Sequence, residues 1–311
     1  MLSNFTILAT VWLDQRLRSA TCWFICSLAV ADLVVLTCAV PLAALQDLRG
    51  HWPYGEVFCD VWIVVDLTFS TASLLSILLL AIDKYMSVKF PFTYSQKMTT
   101  KVLVLVLGGV WCGSLMSIAI PVWLNHHQHH LNLSDVPQED KVCLAKFMPH
   151  YSLLLSLLDF VLPCAIMVYI YSRLYLQAKE TADEIKAVKR SLECNYVTSE
   201  ESSKKPSITR LQRFRYEFKA ALTVGFIMGS YLICWMPFFI VEIWSSFDDN
   251  CCSDLTFKVV LWISYVNSAI NPMIYGLMDK KIRLAFKSFI WQSSIIALPR
   301  LSIVYRDSVS R

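Results

Sequence analysis

The sequence predicts an all-α fold, a seven-transmembrane helix bundle with a short amphipathic helix on the inner leaflet, and three observations carry that prediction. Hydrophobic residues make up 56% of the 311, mean hydropathy is +0.51, and several apolar runs approach or exceed the ~18 residues that a spanning helix needs. Those runs are continuous and lack the period-two alternation of a membrane barrel, so the spans are helical. The basic residues are also partitioned. Only Arg49, Lys141, Lys146 and Lys258 fall in connections on one side, and the rest collect on the other, which the positive-inside rule makes cytoplasmic. The expected location is the plasma membrane, crossed many times.

Taken in order, Met1 to Trp12 is apolar but only ~18 Å long as a helix, which predicts a truncated first span in preference to a stub completed by neighbours. No cleavable signal peptide is visible. Asn4 begins a sequon, yet at membrane depth it reads as an inward-facing polar residue. The second helix is predicted over about Ala20 to Gln46 and contains Asp32. The third runs from Cys59 to Tyr85. A short basic loop leads to the fourth, Val102 to Leu124, with Trp111 in its inner half.

A polar outer loop follows. It holds His126, His127, His129 and His130, the sequon at Asn132, and Cys143; the histidines read as a solvated run or as a zinc or pH site. The fifth helix, His150 to Lys179, has Pro163 inside it, with Ser156 and Asp159 on the outer side of that proline. Residues 180–211 are rich in Ser, Lys and Glu and predict a disordered inner loop. The sixth helix is expected over Gln212 to Phe247 and the seventh over Leu255 to Met278, and Lys280 to Trp291 reads as a basic amphipathic helix. Residues 1–292 thus form the receptor-like bundle and 293–311 a cytoplasmic tail.

The third helix carries two acids. From Asp66 to Asp83 the rise is ~25 Å at 1.5 Å per residue, so one lies toward the outer face and the other at the inner face. An ionisable group inside a span costs on the order of 3 kcal/mol and faces a cavity or a partner. Asp66, Ser70 and Ser73 fall at i, i+4 and i+7 on one side of the helix. Either Asp66 meets a cation or neighbouring hydroxyls hold it; spacing allows both. Trp235, Phe238, Phe239 and Glu242 share a face of the sixth helix in the same way.

Six motifs then occur in register: SLAVADL around Asp32, Cys59 with Asp83-Lys84-Tyr85, Trp111, Pro163 with Tyr171, CWMPFF, and NPMIY ending at Tyr275. In this order and spacing the chain resembles a rhodopsin-like G-protein-coupled receptor from Asn4 to about Phe289. Asp66 seven residues after Cys59, the pair Phe238 and Phe239, and Trp262 with Tyr265 resemble the biogenic-amine and trace-amine group. Tyr265 stands where an opsin would carry its retinal lysine.

That resemblance implies a small-molecule ligand and several roles. Asp66 would be the counter-ion of a protonated amine, oriented by Tyr265, with Ser70, Ser156, Asp159, Trp235, Phe238, Phe239, Glu242 and Trp262 completing the ligand site. Asp32, Ser73, Asn267, Ser268 and Asn271 would hold an allosteric sodium ion, with Asn4 bracing Asp32; the alternative is a polar network satisfied by water. No other cofactor is implied. Asp83, Lys84, Tyr85, Tyr171, Glu217 and Tyr275 would serve activation and coupling, with Pro163, Leu74 and Tyr231 transmitting it. Cys59 and Cys143 would form a disulfide, while Cys251 and Cys252 stay open between a free thiol and a bridge.

The implied partners are a heterotrimeric G protein, arrestin, receptor kinases and membrane lipid. Two departures stand out. Lys84 replaces the family's usual Arg, a point donor in place of a planar fork, which predicts altered coupling. Asp159 with Glu242 suits a ligand carrying a second cation or strong donor, such as a diamine or an imidazole, unless Asp159 bonds a neighbouring Ser or water. Competing readings are a peptide or orphan receptor of the same fold and a secondary transporter. No nucleophile–base pair, phosphate loop or nucleic-acid module is present in the sequence, so nothing in it suggests an enzyme or a nucleic-acid-binding protein.

Overall fold

The computed structural model describes residues 1–13, 19–132, 142–143, 149–195, 205–248 and 251–278, all helix and short turns with no strand among them. The helices are α1 (Leu2–Leu13), α2 (Ala20–Arg49), α3 (Glu56–Lys89), the short α4 (Pro91–Lys97), α5 (Thr100–Asn132), α6 (Pro149–Ser156, continuing through Leu157–Val161 into Leu162–Asn195), α7 (Lys205–Phe247) and α8 (Asp254–Met278). Five of them, α2, α3, α5, α6 and α7, contain stretches long and apolar enough to cross a bilayer by length and composition. With α1 and α8 these make the passes of a seven-helix membrane bundle.

α3 is the central pillar. In its most apolar stretch 61% of residues are buried, against 17–39% in the other four spans, whose remaining apolar side chains face outward. Two apolar clusters lie along it. The inner one gathers Leu74, Ile77 and Leu80 of α3 with Phe24 and Leu28 of α2, Met167 of α6, and Ile227 and Tyr231 of α7. The outer one joins Trp62 and Ile63 to Val35, Ala39, Ile118 and Tyr265. Polar seams cross between helices where a hydroxyl finds a partner: Trp111 Nε1 donates to Ser27 Oγ at 3.1 Å, and Ser27 pairs with Ser76 at 3.0 Å, tying α5, α2 and α3 together.

Two π turns shape the bundle, at Val35–Ala39 in α2 and Leu157–Val161 in α6. Each ends two residues before a proline, Pro41 and Pro163 respectively. Proline supplies no N–H to the carbonyl four residues back, and a widened turn absorbs that loss. In α6 the carbonyl concerned is that of Asp159.

The outer end is strapped by a Cys59–Cys143 disulfide with Cα atoms 5.7 Å apart. Gln46 clamps the strap: its Nε2 donates to the Cys143 carbonyl at 3.2 Å, and the Cys143 N–H donates to its Oε1 at 2.8 Å. Gly50, at φ 76°, ends α2 in the left-handed region, and Gly55, at φ 81°, starts α3. Between them Trp52 donates to the Gly55 carbonyl at 2.8 Å and packs on Phe58 and Trp62.

Three expectations are corrected. The inner segment is helical through Asn195 and again from Lys205, so only 196–204 of the expected disordered stretch lies outside the described residues. Its Ala, Glu, Lys and Leu content favours helix, and opposite charges at helical spacing, such as Lys179 with Asp183, suit it. α5 continues to Asn132, past the predicted end at Leu124, because no Gly or Pro intervenes after Pro121. Asn4 is buried but donates to the Ser268 carbonyl at 3.3 Å and does not bond Asp32 directly. The amphipathic segment 280–291 and the tail 293–311 lie outside the described residues, as do the side chains of His126, His127, His129, His130, Asn132, Glu217 and Tyr275.

Candidate functional site

The predicted counter-ion sits beside a cavity in the outer half of the bundle. Asp66 is buried; its Oδ2 accepts from the Tyr265 hydroxyl at 2.8 Å, and its Oδ1 has no partner. This spot is reached because α3 turns Asp66 toward α8, where Tyr265 comes from the polar stretch before Pro272. One neighbouring hydroxyl, that of Tyr265, therefore holds one oxygen of Asp66, and no serine or threonine hydroxyl holds the other. Ser70, one turn along, is buried and its own Oγ is unpartnered.

The cavity begins at Leu67, Ser70 and Thr71 and is bounded by Ile118, Ser152, Leu155, Ser156 and Asp159. Its far wall is a single face of α7, from Tyr231 through Trp235, Phe238 and Phe239 to Glu242. The enclosed cavity is small, about 40 Å³, and it opens to solvent. The rings form a connected box: Trp235 meets Phe238 edge-on at 5.7 Å and Phe239 at 6.0 Å, and Phe160 stacks on Phe239 at 4.5 Å. Trp235 Nε1 is buried and unpartnered. Glu242 accepts from the Ser152 hydroxyl at 2.7 Å. Asp159, half-buried, makes no hydrogen bond or ion pair among the described residues, so the alternative in which a neighbouring Ser holds it is not formed.

Asp66, Tyr265 and Trp262 of the predicted set do not line this cavity, Asp66 standing next to its lining residue Leu67, and Trp262 differs from the other two. It is exposed, donates through Nε1 to Asp47 Oδ2 at 2.8 Å, and packs edge-on against Tyr265 at 5.9 Å. Asp47 also pairs with Lys258 at 3.2 Å. Trp262 is therefore a neighbour of Tyr265, and does not line the cavity. Thr71, Ser152 and Phe160 were missed by the sequence reading. Ser152 was recoverable, because Ser152, Ser156 and Asp159 fall at i, i+4 and i+7; nothing in the spacing marks Thr71.

Deeper in the bundle Asp32 is fully buried and accepts from Ser73 Oγ at 3.2 Å and Asn271 Nδ2 at 3.0 Å. Asn267 and Ser268 are buried nearby on α8, and the amide oxygens of Asn267 and Asn271 have no partner. A carboxylate, hydroxyls and spare amide oxygens are hard ligands of the kind a small hard cation takes. No group of three His, Cys, Asp or Glu side chains suited to a transition metal occurs among the described residues.

At the inner end, Asp83 is a hub. It accepts from Thr21 at 2.5 Å and from Tyr94 at 2.7 Å, and pairs with Lys84 at 3.2 Å; Lys84 in turn donates to Thr21 at 3.0 Å. Burial, reinforced by the Asp83 carboxylate, pushes the Tyr94 phenol above the ordinary tyrosine range, so it remains a donor. Tyr85 accepts from Lys89 at 2.9 Å. Tyr171 lies against α7, where Gly225 leaves it room: a Cβ there would stand 3.0 Å from its ring. Thr21 and Tyr94 carry no sequence signal that would join them to Asp83.

A helical membrane bundle with a central buried acid, an aromatic cavity and a charged inner hub defines a seven-transmembrane receptor. Residues 3–275 match the 7 transmembrane receptor (rhodopsin family) pattern, and the chain belongs to that family. It is similar to Dopamine receptor 1 of Drosophila melanogaster, 34% identical over 91% of this chain and 58% of that protein. It is also similar to the D(1A) dopamine receptor of Xenopus laevis, at 33% over 93% and 69%, and to the Alpha-1A adrenergic receptor of Homo sapiens, at 32% over 93% and 64%. The chain therefore spans between 58% and 69% of these relatives, all aminergic receptors of the rhodopsin class. As a member of that family it is a multi-pass plasma-membrane protein, and the relatives it matches are receptors and not enzymes.

Proposed function

We propose that the chain binds a protonated biogenic or trace amine through Asp66 and passes the signal to a heterotrimeric G protein. The observation that carries this reading is the half-bonded carboxylate, with Oδ2 held by Tyr265 and Oδ1 buried without a partner. A buried charged oxygen left unpaired is costly, and an ammonium is the partner that offsets this best, through a charge-assisted hydrogen bond. Trp235, Phe238 and Phe239 then box the body of the ligand, and cation–π attraction adds ~0.5–2 kcal/mol. Ser70 and Ser156 offer hydroxyls, and Trp262 supports Tyr265. The dopamine and adrenergic relatives fit the same ligand class.

Below the ligand, Asp32, Ser73, Asn267, Ser268 and Asn271 would hold a sodium ion, which favours whichever bundle state binds it better. Asp83, Lys84, Tyr85, Tyr171, Glu217 and Tyr275 would govern coupling. Arrestin and receptor kinases would share the inner face, the segment 280–291 would rest on lipid, and Asn132 would carry a glycan. The test is direct binding to the purified chain. Phenethylamine, dopamine and histamine should raise its melting temperature, and Asp66→Asn should remove that rise. Equal stabilisation of both proteins would overturn the reading.

A further inference from the structure

The cavity carries more negative charge than one ammonium can balance. Asp159 and Glu242 both line it, opposite the α3 wall that bears Ser70, and no Lys, Arg or His is among its lining residues. Asp159 is placed there by the π turn before Pro163. Its neighbours Leu157, Leu158, Val161 and Leu162 are about half exposed, while Asp159 lines the cavity and Phe160 stacks on Phe239 of its wall. Glu242 has one oxygen held by Ser152, and Asp159 has none held.

A second observation points to a ligand at the same place. Ser70 Oγ and Trp235 Nε1, each on a side chain 6% exposed, line the cavity and lack any partner. Buried polar groups are seldom left unpaired, so four groups (a free carboxylate, a half-held one, a hydroxyl and an indole N–H) await a polar ligand. A catechol hydroxyl would donate to Asp159 but leave its charge uncompensated in an apolar site.

We infer that the ligand is dicationic, with one protonated nitrogen on Asp66 and a second basic nitrogen on Asp159, Glu242 standing behind it. The chemical class is an alkyl diamine or an aminoalkyl imidazole or guanidine. This rests on the amine reading of Asp66 and adds the far end of the ligand to it.

The experiment compares cadaverine, agmatine and histamine with phenethylamine and dopamine for binding to the purified full chain. Cadaverine and agmatine, which are dications, and histamine, whose imidazole can take up a second proton beside Asp159, should each bind at least tenfold more tightly than phenethylamine. Asp159→Asn should weaken the dications tenfold or more and phenethylamine less than twofold, with Asp159→Glu restoring the preference. Phenethylamine or dopamine binding the unmutated chain as tightly as the dications overturns the inference, and needs no variant to fold. So does Asp159→Asn weakening every probe alike. If no probe binds and Asp66→Asn changes nothing, the amine reading itself falls and takes this one with it.

Discussion

Tyr265 donates to Oδ2 of Asp66 at 2.8 Å across the gap between α8 and α3, and leaves Oδ1 of the same carboxylate bare. The bond fixes which way the acid faces. Removing it with Tyr265→Phe frees Asp66 to rotate and deletes one hydrogen bond to a charged group, worth roughly 1.5–3 kcal/mol. Amine affinity should fall by about tenfold or more, whereas Asp66→Asn should abolish it. Competition binding with a labelled amine checks both, and an unchanged affinity in Tyr265→Phe would make the hydroxyl a bystander.

Much of this pair was legible in the sequence because charge inside a span is rare and helical spacing is regular. Asp66 with Ser70, and Trp235 with Phe238, Phe239 and Glu242, could be placed on shared faces by counting. What could not be counted were contacts between helices distant in the chain. The Asp47 bond that draws Trp262 away from the cavity, the Gln46 clamp on Cys143 and the Thr21 and Tyr94 bonds to Asp83 all depend on how helices pack. The inner segment was misread for a different reason: its polarity resembles disorder, yet the same Lys, Glu and Ala residues favour helix once a membrane span has nucleated it.

Gln46 satisfies both backbone groups of Cys143 in a buried setting. Gln46→Ala leaves that N–H and carbonyl unpaired, at roughly 1–3 kcal/mol each before water compensates. The melting temperature of the purified chain should drop clearly with the Cys59–Cys143 bridge still formed, as thiol counting would show. Gln46→Glu should fall between the two, since it keeps the acceptor and loses the donor.

Tyr171 occupies space that exists only because residue 225 has no side chain. In Gly225→Ala the new methyl carbon would stand 3.0 Å from Cε1 of the ring, tighter than van der Waals contact allows. The ring or α7 must shift, and agonist-stimulated nucleotide exchange should change. Tyr171→Ala combined with Gly225→Ala should lose less than the two single effects added together. Full additivity in that double-mutant cycle would mean the two positions do not interact.

Asp83 is held by Thr21, Tyr94 and Lys84 together, so no single bond closes the inner hub. Tyr94→Phe and Thr21→Ala each remove one donor from a buried carboxylate and should raise basal nucleotide exchange, the pair more than either alone. The Tyr94 phenol stays protonated throughout the physiological range, so this restraint should not vary between pH 6 and about 9. A basal rate unchanged in the double variant would place the resting restraint elsewhere.

Lys84 is 8% exposed, and its ammonium is already committed to Asp83 and Thr21. An ammonium is a compact donor, whereas a guanidinium presents five N–H groups in a plane and can keep one partner while gaining another. For a G-protein segment to gain contact with Lys84, the ammonium must give up Asp83, and the cost of exposing that buried acid opposes coupling. Lys84→Arg should therefore raise the maximal agonist-stimulated exchange rate with little change in amine affinity, because the ligand cavity lies at the other end of α3. Measuring both quantities in the same membranes separates the effects. A variant with higher amine affinity but the same maximal exchange would show that residue 84 tunes the bundle's resting state and does not limit its grip on the G protein.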